Sequence, residues 1–405
     1  MDSPVAVLLV ADAVGITTLE YLLNKHSGPV RLPNLARLGL GRLVKGGERL
    51  GKPGNGFAMR VEQASASADS VIGHREMMGI VDGGTYSLFP DGFPAEYIKE
   101  LERKIGRKTI FNKMAGGMEA IELNAAEHEK TGFPIVYASK CDPLIQIAMD
   151  EAVIPVSEQH KIADAAFALA RDMKIPVTRA IARAYVRTAG GLARTANRHD
   201  AVLPMERKTL VDILYSEKVW TVSVGKTGEL VNTVYHEKIK LSDPAFVSPQ
   251  LQSLFVHPQR KDTNPLSAQG TLNAVLSAKA VWRPKGTFIF SNLVDTDSLY
   301  GHTRDVAGSL AALEGVDKAV GILEAAVGKG GLLIITADHG MAHREDYGYH
   351  NKEPLPLLAE IAGENGLGKL KAGKGRTLAD AGWLVSQYFG CEEKFAAESG
   401  LAHLF

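Results

Sequence analysis

Acidic and histidine residues follow three strongly apolar runs of the sequence, at the point where each run ends. The runs cover residues 5–10, 287–294 and 332–337, and the polar residues that follow them are Asp12, Asp297 with His302, and Asp338 with His339. Side chains that follow buried strands lie at the carboxyl edge of an open α/β sheet, where such sheets bind ligands. A single Asp-His pair there is more often a local hydrogen-bonded pair, but three such strand ends together predict a shared site.

This set of residues, extended by His350, has the chemistry of a metal centre. Carboxylate oxygens mixed with imidazole nitrogens suit divalent Mn, Fe or Zn, whereas all-oxygen sets suit Mg or Ca. Three aspartates and three histidines are too many for one tetrahedral site and match two adjacent ions. The alternative for any single histidine is a supporting or structural role, which is our interpretation of His74 and His343.

Ser70 is the candidate nucleophile, because Gly73-His74 follows it closely in a short segment rich in polar residues. Serine is a poor nucleophile at its free pKa. A metal ion that binds its oxygen makes it alkoxide-like at neutral pH, and paired ions also stabilise the attacking and leaving oxygens of an in-line displacement. The alternative role for Ser70 is that of a helix cap, a position where serine is common.

The apolar runs and the segment between them predict the fold of the core. Runs of strand length cover residues 5–10, 219–224, 287–294 and 332–337. Between the last two, apolar residues recur at spacings of three and four and form one helical stripe. The stripe consists of Val306, Leu310, Leu313, Val316, Val320 and Leu323. Strand, amphipathic helix, strand is the pattern of a parallel sheet covered by helices, so we expect an α/β core.

The middle of the chain has a different pattern. Its strand candidates, 135–138 and 179–186, are shorter and less uniformly apolar, and helical stretches such as 158–173 separate them. We therefore expect an α+β domain inserted between two parts of one core. The predicted parts are core 1–92, inserted cap 93–205 and core 206–405.

Composition and charge exclude several classes of function. Lys+Arg and Asp+Glu both total 46 in 405 residues, so no net charge attracts nucleic acid or an anionic membrane. The mean hydropathy is -0.04, and no apolar stretch approaches the roughly 20 residues that cross a bilayer. The two cysteines, Cys141 and Cys391, fit a reducing compartment. We expect a cytoplasmic protein that binds a small molecule, with no nucleic-acid or membrane partner; nothing in the sequence indicates its oligomeric state.

Four separate motifs are spread over most of the chain. They are residues 293–308, residues 334–340, Gly73-His74 with 76–79, and residues 194–200. Together they resemble the motifs of the phosphopentomutase family, a branch of the alkaline phosphatase superfamily. The resemblance implies an alkaline-phosphatase-like core, with a mixed, mostly parallel sheet flanked by helices, and an inserted α+β cap. A cap that closes would exclude water, which a phosphomutase needs because water hydrolyses a phosphoenzyme.

The resemblance also implies a role for each matching residue. Ser70 would carry a phosphoryl group and exchange it between two oxygens of a sugar phosphate, as between ribose 1-phosphate and ribose 5-phosphate, through a bisphosphate intermediate. The family pattern implies two divalent ions, expected to be manganese, and a sugar bisphosphate as a possible activator. One ion would be held by Asp12, Ser70, Asp338 and His339, and the other by Asp297, His302 and His350. The substrate would be bound by Arg183, Arg198 and Lys226, with Ser139 and Asp142 in a contact loop.

The sequence departs from the family pattern at several positions, and four of them concern residues with a possible part in the site. Ser70 stands where phosphopentomutases have threonine, which keeps the hydroxyl chemistry; cofactor-independent phosphoglycerate mutase has serine in a similar setting. Arg75 stands where tryptophan is usual, and Lys140 and Arg187 are gained in segments of the cap. These three residues add positive charge, and Lys140 and Arg187 are predicted to contact the substrate. We therefore expect a substrate more anionic than ribose phosphate, or a different phosphorylated polyol. The alternative is sequence drift on exposed loops.

Two other functions compete with a metal-dependent phosphomutase. A phosphatase or phosphodiesterase could use the same two-metal core and release phosphate to water, but a hydrolase has no need of a cap that retains the phosphoryl group. A non-catalytic sugar-phosphate binder is the alternative outside enzymes. The complete set of ligand-type residues together with the hydroxyl of Ser70 argues against it, since loss of function usually erodes some of them.

Overall fold

The chain divides into two compact units, each with its own sheet. The computed structural model describes residues 3–54, 56–195, 197–241, 247–248, 251, 262–343, 348–364 and 366–405. The first unit comprises Met1–Gly83 with Met205–Phe405, and the second comprises Gly84–Pro204. The second unit begins before residue 93, where we expected the inserted domain to begin. Phe89 packs into its core, and the Ser87 N–H donates a hydrogen bond to the Pro176 carbonyl at 3.0 Å.

The first unit is built on a seven-stranded sheet that is mostly parallel. Its strands are β1 (Val5–Ala11), β2 (Phe57–Val61), β9 (Trp220–Val224), β10 (Glu237–Ile239), β11 (Thr287–Leu293), β12 (Leu332–Thr336) and β15 (Leu355–Ile361). The order across the sheet is β10-β9-β11-β1-β12-β15-β2. All pairings from β10 to β12 are parallel, and β15 runs antiparallel to both of its neighbours. The four predicted strands of the core are therefore all present, and they lie side by side.

The central strands are buried along their whole length, because helices cover the sheet. Every residue of β1, β11 and β12 is buried, which explains their continuous apolar sequence. The helices of this unit are Ile16–Lys25, Pro33–Leu38, Ser70–Met77, Leu210–Ser216, Thr227–Leu230, Asn264–Ala280, Val306–Val327, Asp380–Tyr388 and Glu392–Ser399, with shorter turns at Leu40–Arg42, Gly47–Leu50 and Ala402–Leu404 and a π-helical turn at Thr296–Gly301. None of the helices in the described ranges is long and apolar enough to cross a lipid bilayer.

The predicted amphipathic helix is the longest helix described, Val306–Val327. Its stripe from Leu310 to Leu323 is buried in the main core, while Val306, at the helix start, is only partly buried and packs against that core. Asp305 caps the helix, since its side chain accepts a hydrogen bond from the Gly308 N–H at 2.8 Å. Together with β11 and β12, this helix forms the βαβ unit that the sequence pattern predicted.

The second unit has a mixed sheet with helices packed against it. Its strands are β3 (Ile110–Met114), β4 (Ile135–Ala138), β5 (Leu144–Asp150), β6 (Arg179–Thr188), β7 (Gly191–Arg194) and β8 (His199–Val202), and its helices are Ala95–Ile105, Gly117–Thr131 and Val156–Asp172. The order is β3-β4-β5-β6-β7, and β8 also pairs with β6. Parallel and antiparallel pairs alternate between β3 and β7, as expected for an α+β domain.

Candidate active site

The parallel pairing of the central strands brings three chain segments to one edge of the sheet. β1 pairs in parallel with β11 on one side and with β12 on the other, so the residues that follow these strands leave the sheet together. Ala13 adopts a left-handed backbone conformation (φ 58°), and its N–H donates to Asp338 Oδ1 at 3.2 Å. A residue other than glycine is strained in this backbone conformation, and residues with such strain are concentrated at functional sites.

His339 is the centre of the first cluster of possible ligands. Its Nδ1 lies 3.1 Å from the Gly340 carbonyl oxygen, which can only accept a hydrogen bond, so this network assigns the neutral ring's proton to Nδ1. Nε2 then presents a lone pair. It faces Asp12 Oδ1 at 3.4 Å, Asp338 Oδ2 at 3.5 Å and Ser70 Oγ at 3.3 Å. A ring held by a backbone carbonyl, with oxygens converging around its second nitrogen, is the usual arrangement of a metal-binding histidine.

Ser70 is the first residue of the helix Ser70–Met77, where its hydroxyl lies at the positive end of the helix dipole. The capping role that we considered for Ser70 belongs to Asp69, whose Oδ1 accepts from the Val71 N–H at 2.7 Å. The Ser70 hydroxyl also lies 3.2 Å from Lys226 Nζ, and the same ammonium contacts Asp12 Oδ2. The structure therefore brings Lys226, which we predicted to bind substrate, into direct contact with the candidate nucleophile.

Gly73 and His74 hold the helix of Ser70 against the strand-end loop of Asp338. A Cβ atom on Gly73 would lie only 2.1 Å from the Asp338 carbonyl oxygen, so only glycine allows this approach. His74 is fully buried, and its Nδ1 lies 2.8 Å from the Ser70 carbonyl oxygen and 3.3 Å from Asp338 Oδ2. Burial lowers the pKa of His74, which opposes charge on this ring. The ring lies beside the Asp338 carboxylate, and a supporting role is the one that we expected for it from the sequence.

We expect Gly73→Ala to reduce activity by on the order of 100-fold, because the added methyl group must push Ser70 away from its partners. The unfolding free energy should fall by about 1–3 kcal/mol, as for other overpacked sites. The measurement is kcat/KM together with denaturant unfolding. Gly83→Ala is the matched control, because a Cβ atom there meets nothing within 4 Å. Wild-type activity in Gly73→Ala would show that the close approach is not needed.

The second cluster is formed by Asp297, His302 and His350. Asp297 and His302 lie on the π-helical turn Thr296–Gly301 and its end, and the His302 N–H donates to the Asp297 carbonyl at 3.2 Å. Such turns occur frequently at functional sites. Asp297 Oδ1 lies 3.3 Å from His302 Nε2 and 3.1 Å from His350 Nε2. His302 Nδ1 lies 2.9 Å from the Gly348 carbonyl oxygen, which orients this ring as Gly340 orients His339.

The two clusters adjoin each other through His339. Ligand atoms of Asp12, Asp338 and His339 lie within 4.8 Å of one another, and so do those of Asp297, His339 and His350. The rings of His339 and His350 are stacked with their centroids 3.8 Å apart. The family resemblance implied that His339 holds the first ion alone, whereas the structure places its ligand atom within 4.8 Å of those of both sets.

The electrostatics of these clusters call for cations. Burial and the charge of Asp338 raise the pKa of Asp12 to about 7. Burial opposes a charged His339, but Asp338 and Asp12 outweigh it and raise the pKa of this imidazole to about 9. Burial also opposes charge on Asp297, yet His302 and His350 hold the pKa of that carboxyl well below its usual range. The negative charge of these buried carboxylates favours a protonated imidazole beside them. A divalent ion bound between the carboxylates and the neutral rings would supply the positive charge instead.

Two buried oxygens provide a direct test of whether divalent ions fit. Asp12 Oδ1 accepts no hydrogen bond from any residue in the described part of the chain, and Asp338 Oδ2 has His74 Nδ1 beside it, at 3.3 Å and without hydrogen-bond geometry; both oxygens face His339 Nε2. A buried carboxylate oxygen without a donor is costly. Oxygen ligands of this kind, beside imidazole nitrogens, fit divalent transition-metal ions.

Several supporting residues were not apparent in the sequence. Asn292 Nδ2 donates to Asp12 Oδ2 at 2.9 Å, and Thr296 Oγ1 donates to the Asp12 carbonyl at 2.6 Å. Asn292 lies within the buried strand β11. The one feature of the sequence that could have identified it is that a polar residue stands near the end of an otherwise apolar strand. Asp295 lies outside both clusters. Its carboxylate accepts from the Asn264 N–H at 2.7 Å and from Thr263, so it caps the helix Asn264–Ala280.

The substrate-binding residues predicted in the second unit include a group of arginines. Arg183 Nε donates to Gln146 Oε1 at 2.9 Å, and burial followed by the charges of Arg198 and Arg194 lowers the pKa of Arg183. Arg198 Nη2 in turn donates to Asp200 Oδ2 at 2.6 Å. A further two of the predicted residues lie between β4 and β5, where the Asp142 N–H donates to Ser139 Oγ at 3.4 Å and Asp142 Oδ1 lies 3.7 Å from Arg179.

The three residues that departed from the family pattern by gaining positive charge all have protein partners. Lys140 Nζ lies 2.9 Å from a carboxylate oxygen of Glu119, and Arg187 Nη2 lies 2.8 Å from one of Glu129. Arg75 is 2% exposed, and its Nε donates to a backbone carbonyl of the first unit at 3.0 Å. Because the two cap residues are paired with acids, their charge does not favour a more anionic substrate. This favours the alternative explanation, drift at exposed positions, for Lys140 and Arg187.

Comparison with known proteins agrees with this geometry. The model of the Metalloenzyme superfamily matches residues 5–393. The fold and site thus define a metal-dependent enzyme with an alkaline-phosphatase-like core. Phosphopentomutase from Desulfitobacterium hafniense is 31% identical over 98% of this chain and 99% of its own length. Phosphopentomutase from Carboxydothermus hydrogenoformans is 33% identical over 95% and 96%, and that from Clostridium kluyveri is 33% identical over 91% and 90%.

The chain belongs to the phosphopentomutase family. This confirms the family resemblance and the fold class that the sequence motifs implied. It also makes the protein an isomerase of the phosphotransferase type, a metal-dependent phosphomutase that uses divalent ions.

Proposed function

We propose that this phosphomutase interconverts ribose 1-phosphate and ribose 5-phosphate through a phosphorylated Ser70. The observation that carries the proposal is the position of the Ser70 hydroxyl, 3.3 Å from His339 Nε2 and 3.2 Å from Lys226 Nζ. A nucleophile needs activation and its phosphoryl group needs nearby positive charge. This hydroxyl has both a cluster of metal-type ligands and an ammonium beside it.

The proposed assignment of ligands follows the two clusters. Asp12, Ser70, Asp338 and His339 would hold one divalent ion, and Asp297, His302 and His350 the other. When bound, such ions neutralise phosphate charge and lower the pKa of a coordinated hydroxyl. Manganese is the ion we propose, because the mixed carboxylate and imidazole set suits it.

The residues of the chain itself support the exchange in several ways. In the first half-reaction the Oγ–P bond of phosphorylated Ser70 breaks while a sugar hydroxyl oxygen bonds the phosphorus, and the proton of that hydroxyl passes to the Ser70 oxygen, which yields ribose 1,5-bisphosphate. In the second half the Ser70 oxygen bonds the other phosphorus, the bond between that phosphorus and its sugar oxygen breaks, and the serine proton passes to the sugar oxygen, which releases the isomeric monophosphate. Lys226 lies where its ammonium stabilises charge on the serine oxygen, and the N-terminus of the helix Ser70–Met77 adds favourable partial charge.

The substrate class is proposed from the relatives, which are phosphopentomutases. Arg183 and Arg198 are the residues that we propose to bind the sugar phosphate, because guanidinium groups match phosphate oxygens. Ser139 and Asp142 remain predicted contacts, whereas the ion pairs of Lys140 with Glu119 and of Arg187 with Glu129 argue against the substrate contacts that we predicted for Lys140 and Arg187. A cytoplasmic location and activation by a sugar bisphosphate also remain predictions.

The test is to incubate the manganese-loaded protein with ribose 5-phosphate and a trace of ribose 1,5-bisphosphate, and to follow phosphorus species by NMR. We expect ribose 1-phosphate to form and little inorganic phosphate. Release of inorganic phosphate would identify a phosphatase instead, and no turnover over a panel of phosphosugars would identify a binder. Glucose 1-phosphate serves as the matched hexose substrate. If the protein converts it as fast as it converts ribose 5-phosphate, the enzyme is not specific for pentoses.

A further inference from the structure

Glu353 is a buried carboxylate next to the two clusters of metal-type ligands. It is 6% exposed, and it lies just beyond the hairpin formed by β13 (Gly340–His343) and β14 (Gly348–Asn351). This hairpin carries His350 and begins immediately after His339. In the register of the hairpin, Met341 pairs with His350 and Gly340 pairs with Asn351. Any group that holds the base of the hairpin therefore also holds these two histidines.

The carboxylate of Glu353 connects the hairpin to the helix Ile16–Lys25. Its Oε1 accepts from the Thr18 N–H at 2.8 Å and from the Thr18 hydroxyl at 2.9 Å. Its Oε2 accepts from Asn351 Nδ2 at 3.1 Å. The Thr18 oxygen also accepts from the Met341 N–H at 2.8 Å, so a relay runs from the hairpin backbone through Thr18 to Glu353.

This helix depends on Glu353 for its N-terminal cap. The residue before the helix is Gly15, which has no side chain to accept a hydrogen bond. Thr18 is the third residue of the helix, and its N–H is one of the donors that a cap normally satisfies. The carboxylate supplied from Glu353 takes this position, where it also interacts favourably with the helix dipole.

Two glycines leave the space that Glu353 occupies. A Cβ atom on Gly15 would lie 1.9 Å from Glu353 Oε1, and one on Gly340 would lie 2.2 Å from Glu353 Cδ. Gly340 is also the residue whose carbonyl oxygen orients the His339 ring. The side chain is therefore enclosed between the segment that follows Asp12 and the segment that carries His339.

We propose that Glu353 is a positioning residue, which sets the orientation of His339 and His350 for divalent ions by joining their hairpin to the helix that follows Asp12. The proposal rests on the proposed metal assignment. It does not make Glu353 a ligand, because both of its oxygens are occupied by Thr18 and Asn351. The ion at Asp297 and His350 should depend on it most, since His350 enters the site only from the hairpin. Asp12 and Asp338 have separate supports in Asn292 and His74.

The experiment is a titration of the purified full-length protein with Mn²⁺, in which the EPR signal of free Mn²⁺ reports binding without any substrate. Two ions should bind to the wild type. In Glu353→Ala the site formed by Asp297, His302 and His350 should lose affinity for Mn²⁺ by roughly 10- to 100-fold, the usual effect of removing a group that orients a metal ligand. Thr18→Val should have a similar effect, because it breaks the relay and leaves Glu353 in place.

Conservative variants show whether Glu353 acts through its hydrogen bonds, which position the hairpin, or through its negative charge. Glu353→Gln keeps the acceptor for Thr18, and its amide can donate to Asn351 Oδ1, which accepts no hydrogen bond within the described residues. Glu353→Gln and Thr18→Ser should therefore bind Mn²⁺ nearly as the wild type does. The matched control is Glu360→Ala, which removes another buried glutamate, one that pairs with Arg37 at 2.6 Å. Its affinity for Mn²⁺ should not change even if its stability falls.

Two results would overturn this role for Glu353. One is wild-type Mn²⁺ binding by folded Glu353→Ala, and the other is a Glu353→Gln variant as weak as Glu353→Ala. A rate measurement adds a third criterion, since saturating Mn²⁺ should restore most of kcat to Glu353→Ala, and failure to do so would indicate a part in the chemistry. If instead the wild type binds two ions but turns over no phosphosugar, the proposed function fails while the result on Glu353 stands.

Discussion

Ser70→Ala should lose both the phosphoenzyme and the mutase activity, the latter by on the order of 10⁴-fold or more, as when a catalytic nucleophile is removed from other enzymes. The hydroxyl is buried, lies beside His339 and Lys226, and is the one oxygen in this cluster that can form a phosphate ester. Intact mass after incubation with ribose 1,5-bisphosphate measures phosphorylation, and phosphorus NMR measures turnover.

Two variants make the Ser70 result specific. Ser70→Thr should keep measurable activity, because it retains the hydroxyl and restores the residue that phosphopentomutases have at this position. Ser291→Ala removes another fully buried serine hydroxyl, one that bonds Thr271 at 2.6 Å within the same unit, and should remain active. Full activity or retained phosphorylation in Ser70→Ala would refute the assignment of the nucleophile.

Asp338→Asn should lose one of the two Mn²⁺ sites and reduce kcat/KM by about 10³-fold, which corresponds to about 4 kcal/mol of transition-state stabilisation. Asparagine can still accept at Oδ1 from the N–H groups of Ala13 and His339. At the other position, however, it places an amide donor toward His74 and His339, where the carboxylate presents an oxygen at 3.3 and 3.5 Å. The measurement is Mn²⁺ stoichiometry by EPR together with steady-state kinetics.

The control for this prediction is Asp317→Asn. Asp317 is equally buried and accepts from the Leu35 N–H at 2.7 Å and from Asn34, but it lies on the helix Val306–Val327 and outside both clusters. Its replacement should cost stability, by about 1–3 kcal/mol, and leave Mn²⁺ binding unchanged. If Asp338→Asn binds two ions as tightly as the wild type, Asp338 is not a metal ligand.

The polar residues at the strand ends could be found from the sequence, because the apolar strand and the polar residue that follows it are neighbours in the chain. A fully buried parallel strand has a continuous apolar sequence, and the polar residue that ends it is visible as an interruption. Asp12, Asp338 and His339 were found in this way, and the structure brings them within ligand distance of one another. Asp295 shows the limit of the pattern. It stands two residues from Asp297 and has the same chemistry, yet it caps a helix that begins 31 residues earlier in the chain.

Other parts of the site depend on contacts between residues far apart in the sequence. Glu353 is followed by proline in a polar segment and has no local feature that indicates burial. Lys226 was predicted to bind substrate from the family resemblance, but its contact with the Ser70 hydroxyl required the folded chain. Arg75 was expected to add charge around the pocket, whereas the structure buries it against a backbone carbonyl.

The sequence by itself determined the chemistry of this protein and the class of its fold. The residue types that bind divalent ions, the hydroxyl beside them and the family motifs are all local features, as is the alternation of strand and helix. Only the tertiary structure decided which acid contacts which histidine, that His339 adjoins both clusters, that Gly73 packs against the Asp338 carbonyl, and that Glu353 accepts hydrogen bonds from Thr18 and Asn351. The reason is physical: parallel strands that are neighbours in the sheet are distant in the chain, so the contacts at their ends follow from the order of the strands.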